Sequence, residues 1–289
     1  MKRYALIVAL ALLACSDTEF TPRWRLDRFR LLAVIAEPPD ALAGESVTLT
    51  AVAAQRPGVT GDASVVWLPC ARLAIDNNTG ARTCADATPQ VLFGTTTSVA
   101  LTETPASGAP WTVFGMACPS GVPMIDPTTK QPRCDGAEGE VFIRTIRQRG
   151  AVANHNPRIA RVTLDGAELT AEMPARVPPC ALTDSDERDE RCVRHSLRVE
   201  FASDARETTS EVQPDGSVHA LPEALVTEFI VDGGDLDGAF RSDNDESAGA
   251  VHVNAFRAPP TAGTVRLWVI ARDGRGGFDI ATRSVTVAM

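Results

Sequence analysis

Residues 44–53 read GESVTLTAVA, with Val47, Leu49, Ala51 and Ala53 on one face of an extended chain and Ser46, Thr48 and Thr50 on the other. Successive side chains of a strand point to opposite faces, so this period of two marks a half-buried β-strand. HSLRVEFAS (195–203) repeats it, with Leu197, Val199 and Phe201 alternating with Arg198 and Glu200. Further strand-length segments lie around these two. FRLLAVIAEPPD (29–40) is stopped by Pro38-Pro39, and SVVWLPC, TTSVALTE, PWTVFGMAC and GEVFIRTIR follow. RIARVTLDG, ALVTEFIVDGG, AVHVNAFRAPP, TVRLWVIARDG and ATRSVTVAM complete the series. No extended helical period competes, and the least β-like segment, Glu187 to Arg194, reads as a charged loop.

The chain has 289 residues, 44% hydrophobic and 22% charged, which excludes intrinsic disorder and gives a prior of about two domains. A net charge of -9 argues against nucleic acid as a partner, since a phosphate backbone calls for a basic face. The change of composition from Gly150 to Pro157, within GAVANHNP, reads as a joint crossed by few core contacts. The expected fold is all-β: two tandem immunoglobulin-like β-sandwich domains over 29–150 and 151–289, each large enough for its own core.

The N-terminus, MKRYALIVALALLAC, places Lys2 and Arg3 before an apolar run from Tyr4 to Ala14. That run is far short of the roughly 20 residues of a spanning helix and fits a secretory signal. Its end, Leu12-Leu13-Ala14-Cys15, resembles the lipobox of bacterial lipoproteins. The resemblance implies cleavage after a 1–14 signal peptide, diacylglycerol on Cys15, and a lipidated tether over 15–28. It also implies an envelope location with the membrane as a partner. Two acyl chains anchor stably where one does not. Ser16 after the cysteine, rather than aspartate, implies the outer membrane by the Gram-negative sorting rule, at its periplasmic face or the cell surface. Trp24, in the tether, is expected to rest at the membrane interface or to pack on the first sandwich.

Besides Cys15 there are six cysteines, at 70, 84, 118, 134, 180 and 192. Sequence leaves their pairing open. Nearest neighbours give Cys70–Cys84, Cys118–Cys134 and Cys180–Cys192, each stabilising by about 3 kcal/mol in the chain-entropy model. Such bridges suit an oxidising compartment. No Cys-x-x-Cys spacing favours zinc instead.

The last hairpin, VRLWVIARDGRGGFDIATRSVTV (265–287), resembles the final strands of immunoglobulin-like and PKD-like modules of bacterial envelope proteins. With the lipobox, the cysteine-bearing first half and the NHNP joint, it resembles envelope lipoproteins of myxobacteria and related high-GC Gram-negative bacteria. That resemblance implies location and architecture and carries no activity. No Gly-x-Ser-x-Gly elbow, phosphate loop or dinucleotide fingerprint is present, and His155, His195, His219 and His252 are scattered. Asp232, Asp235, Asp237, Asp243 and Asp245 form an acidic run that offers hard oxygen ligands to calcium. Its spacing misses the EF-hand pattern, and a solvated connection is the plainer reading. No other cofactor is expected. These observations predict a non-enzymatic, lipid-anchored binding, adhesion or scaffolding module whose partner is an envelope protein or polysaccharide. The alternative is an envelope hydrolase or a carbohydrate-binding accessory protein.

Overall fold

The computed structural model describes residues 21–70, 73–75, 82–84, 97–101, 111–126, 132–150, 152–170, 172–182, 188, 190–212, 217–242 and 251–289. The first half holds β1 (Arg30–Glu37), β2 (Asp40–Ala41), β3 (Val47–Ala54), β4 (Ser64–Cys70), β5 (Leu73–Ile75) and β6 (Arg82–Cys84). It continues with β7 (Ser98–Leu101), β8 (Trp111–Cys118), β9 (Pro123–Ile125), β10 (Pro132–Cys134) and β11 (Glu140–Gln148). Sheet β1-β3-β7 faces sheet β2-β11-β8-β4, an immunoglobulin-like order. Between them lies a core of alternating side chains: Val47, Leu49, Val99 and Leu101 from one sheet, and Val65, Trp67, Val113 and Phe142 from the other. Trp67 meets Phe142 edge-on at 5.1 Å, the core aromatic expected of this fold.

In the second half come β12 (Ile159–Leu164), β13 (Ala167–Glu168), β14 (Ala175–Val177), β15 (His195–Phe201), β16 (Thr208–Val212) and β17 (Val218–Pro222). There follow β18 (Val226–Val231), β19 (Asp235–Leu236), β20 (Phe240–Ser242), β21 (Val251–Arg257), β22 (Gly263–Arg272) and β23 (Phe278–Val287). Sheets β13-β12-β15-β21-β19 and β14-β23-β22-β18-β20 enclose the larger core. Asp165 and Gly166, both at positive φ, make the two-residue turn between β12 and β13, as an Asp-Gly pair does in a hairpin. A charged loop was expected at 187–194. Instead Arg188, Glu190 and Arg191 form a helical turn, closed by the Cys192 amide donating to the Arg188 carbonyl at 3.1 Å.

Several strands bury both faces, β4 and β1 among them. β4 sends Val65 and Trp67 inward, while Val66, Leu68 and Cys70 pack outward with Phe114, Met116 and Cys134. The Cys118–Cys134 disulfide thus ties the β9–β10 hairpin to an apolar patch on the outside of the sheet. In β1 the register to β3 slips between Leu31 and Ala33, a bulge that flips the alternation. Leu31, Val34 and Ala36 face the first core, whereas Leu32, Ala33 and Ile35 face away from it. They pack on Ile230, Trp268, Ile270, Phe278 and Ile280 of the second sandwich. The joint is therefore a packed layer, and the expectation of few core contacts across it fails.

Candidate functional site

The segment after β11 crosses between the sandwiches as a ribbon of hydrogen-bonded polar groups. Asp40, 4% exposed on β2, accepts the Asn154 amide at 2.9 Å and Arg149 Nε at 3.1 Å. Arg149 also pairs with Glu45, and these two acceptors hold its guanidinium in the charged form. Asn154 Nδ2 donates to Asp273 at 3.2 Å. Asn156 donates to the Ala36 carbonyl and to Glu37, and accepts the Phe278 amide at 2.9 Å. The NHNP segment therefore stitches β1 to β23.

Opposite it stands the turn between β22 and β23. Asp273 Oδ1 accepts the amides of Arg275, Gly276 and Gly277 at 2.6–2.7 Å, fixing the loop as an anion does in a backbone nest. A Cβ at Gly277 would lie 2.2 Å from Asp273 Oδ2, so only glycine fits there. Arg275 reaches from this turn to Glu207 at 3.1 Å, Glu223 at 3.2 Å and Asp40 at 3.8 Å. Carboxylates outnumber the guanidinium they share. Burial, then Asp273, pushes the Glu223 carboxyl above its ordinary range, and Arg275 opposes that rise only in part. His155 pairs with Glu207 at the solvent edge.

The apolar layer of the joint is bordered by guanidinium–aromatic pairs. Arg144 of β11 and Arg272 of β22 lie over the Phe278 ring at 5.0 and 5.6 Å, and Arg266 covers Trp268 at 5.2 Å. Arg144 also donates to the Gly276 carbonyl. Burial pushes its pKa down to about 10, still charged at neutral pH.

Residues 22–26 are not a free tether. The Val231 amide donates to the Trp24 carbonyl at 2.8 Å, and the Leu26 amide donates to the Val231 carbonyl at 2.7 Å. This strap continues the sheet edge beside β18, past the end of β20. Trp24 packs on the second core and Leu26 enters the joint layer. Arg25 donates to the Gly234 carbonyl at 2.8 Å, and Arg23 lies over the Phe240 ring. Trp24 was expected at a membrane interface or on the first sandwich, and it sits on the second. The period-two spacing of Pro22, Trp24 and Leu26 was the signal for this edge strand.

Cys15 lies outside the described residues. Cys118–Cys134 and Cys180–Cys192 are disulfides, with Cα atoms 5.6 and 5.7 Å apart. Cys70 is disulfide-bonded as well, and the Cys84 side chain lies outside the described residues. The calcium candidates do not converge. Asp232 binds Arg266, Asp235 binds Arg188 and Arg25, and Asp237 binds Arg194 and Arg257. Asp243 and Asp245 lie outside the described residues. Among the described residues no three of His, Cys, Asp and Glu gather as a metal site. His195 pairs with Asp165 at 2.7 Å and His252 with Thr227 at 2.6 Å. Among the described residues no helix is long and apolar enough to cross a membrane.

No protein-family model matches the chain, and no curated protein does. Among solved structures it is similar to the fibronectin(III)-like modules of Clostridium thermocellum CbhA, at 12% identity and a TM-score of 0.23, over 88% of this chain and 94% of that one. It is also similar to dimeric latent PorU of Porphyromonas gingivalis, at 10% identity and a TM-score of 0.25, over 91% of this chain and 24% of that one. At such TM-scores these similarities carry no argument, and the fold rests on the sheets described above.

Proposed function

We propose that this chain is an exported lipoprotein, anchored by diacylglycerol on Cys15 at an envelope membrane, whose two sandwiches act as one rigid, non-enzymatic binding or scaffolding body. The partner would be an envelope protein or polysaccharide, met at the outer membrane. The observation that carries the reading is the double lock at the joint. An apolar layer around Trp268 and a polar ribbon around Asp40 and Asp273 hold the same two bodies. Flexible linkers between domains leave relative motion as the default, so so much burial at a joint points to a fixed orientation. Presenting a surface at a fixed angle is a scaffold's work. The lipobox residues Leu12 to Cys15 and the paired cysteines support the address.

The test labels cells with a fatty-acid analogue and captures cross-linked partners from envelopes. Wild type should take up label and Cys15→Ala should not. A partner held by wild type should be lost from a double variant, Asp40→Ala with Trp268→Ala, that loosens the joint. An unlabelled wild type refutes the anchor. A partner held equally by the loosened variant refutes the rigid-body role.

A further inference from the structure

The disulfides of this chain differ in their surroundings. Cys118 is fully buried and Cys134 nearly so, within the apolar patch under the β9–β10 hairpin, and Cys70 is fully buried beside them. Cys180 is only half-buried, although its partner Cys192 is buried. Together with Cys192 it lines a solvent-open cavity of about 250 Å³, whose walls include His195, Arg191 and Pro179. His195 opens β15 and lines this cavity, and its Nδ1 is committed to Asp165 at 2.7 Å, so Nε2 is the ring nitrogen left to donate. Asp165 is itself fixed by the Ser196 amide at 2.7 Å.

Both arms of the bridge are also held without it. The buried Arg188 donates to the carbonyls of Cys180, Leu182 and Ala258 and pairs with Asp235. Its own carbonyl accepts the Cys192 amide. The Cys180 amide donates to the Pro259 carbonyl at 3.2 Å. Two thiols left by cleavage of this bridge would stay side by side, whereas opening Cys118–Cys134 requires the patch around it to come apart.

We propose that Cys180–Cys192 is a thiol-exchange site, opened by a dithiol while the sandwich stays folded, with His195 as the proton donor to the leaving sulfur. A thiolate of the dithiol attacks Cys180 Sγ and forms a mixed disulfide. The Sγ–Sγ bond breaks with its electron pair on Cys192 Sγ, which takes a proton from His195, and the ring regains one from water. The second thiolate of the dithiol then displaces Cys180 Sγ, which leaves with the electron pair of the mixed disulfide and takes a proton from water. The dithiol leaves as a cyclic disulfide, oxidised by two electrons, and the bridge is left as two thiols. Asp165 orients the ring from the far side. Among the described residues, Arg191 lines the cavity and the Arg188–Asp235 pair stands behind it.

The test uses the full folded chain, dithiothreitol as the dithiol, and alkylation with peptide mapping at timed intervals. Cys180 and Cys192 should be alkylated at least tenfold faster than Cys118, Cys134 and Cys70, with the near-ultraviolet circular dichroism of the tryptophans unchanged. At neutral pH a folded His195→Gln should open several-fold more slowly than wild type. If that variant misfolds, the order of alkylation in wild type still tests the exchange site. Equal alkylation of all bridges, opening only with unfolding, or a folded His195→Gln that opens as fast as wild type would overturn the proposal.

Discussion

The guanidinium of Arg144 on β11 lies 5.0 Å from the centre of the Phe278 ring on β23, so the last strand of one sandwich grips the last strand of the other. The charge itself is a liability there, because burial lowers the pKa and Arg144 Nε has no partner among the described residues. The side chain earns its place by covering the ring. Arg144→Ala should destabilise by about 2 kcal/mol, whereas Arg144→Met, which keeps apolar contact, should lose less than about 1 kcal/mol. Urea titrations compare them directly. A methionine variant as weak as the alanine variant would show that the charge, not the cover, matters.

Asp40 accepts from the backbone of the joint and faces two guanidinium groups. Asp40→Ala leaves a buried amide and Arg149 without that acceptor and should destabilise by about 3 kcal/mol. Asp40→Asn keeps an acceptor oxygen and should fall between. Chemical denaturation at neutral pH decides the order of the three.

Glu223 gives the joint a pH signature of definite sign. Its carboxyl is raised in the folded protein, so its contribution is present below the ordinary glutamate range, about 4.3, and lost as pH rises through the folded value. The half-buried Glu45 and Glu200 and the exposed Asp204 are lowered by hydrogen bonds, so their small contributions run the other way and fade in acid. Glu223→Gln should therefore gain on wild type between pH 4 and pH 7. Denaturation midpoints of both proteins at the two pH values give the answer, and a loss over that interval contradicts the assignment.

A fragment from Asn154 to Met289 lacks both β1 and the strap. It exposes Ile230, Trp268, Ile270, Phe278 and Ile280 together on one sheet face. Patches of that kind drive association. The fragment should bind a hydrophobic dye and self-associate, unlike the chain that includes residues 21–150. Ultracentrifugation of a monomeric fragment that ignores the dye would sink this expectation.

Much of the sandwich architecture is legible in the alternation of β3 and β15, where one face is apolar and the other polar. The joint is written in the sequence too, in a less obvious form. LLAVIA (31–36) and LWVIA (267–271) are continuous apolar runs, and an unbroken run marks a strand covered on both faces, not one half in water. The strap was hidden by its arginines. The acidic run misled because the guanidinium groups that neutralise Asp232, Asp235 and Asp237 come from distant positions such as Arg25, Arg188, Arg257 and Arg266. Only the fold brings them together. β16 (TTSEV) and β17 (VHALP) pair through short segments too brief to give a periodic signal.

The strap also decides the path of mechanical tension. A pull on the chain ahead of Thr21 meets the backbone hydrogen bonds of Trp24 and Leu26 to Val231 before it reaches β1. The second sandwich, though later in sequence, is therefore the first to feel that pull. Because the strap runs parallel to β18, force along it strains those bonds in shear, and Leu26 must leave its buried site before the first sandwich is loaded. Forced opening is set by the rate of the weakest step on the path. Here that step is release of a single edge segment, a fuse that yields while both cores remain folded.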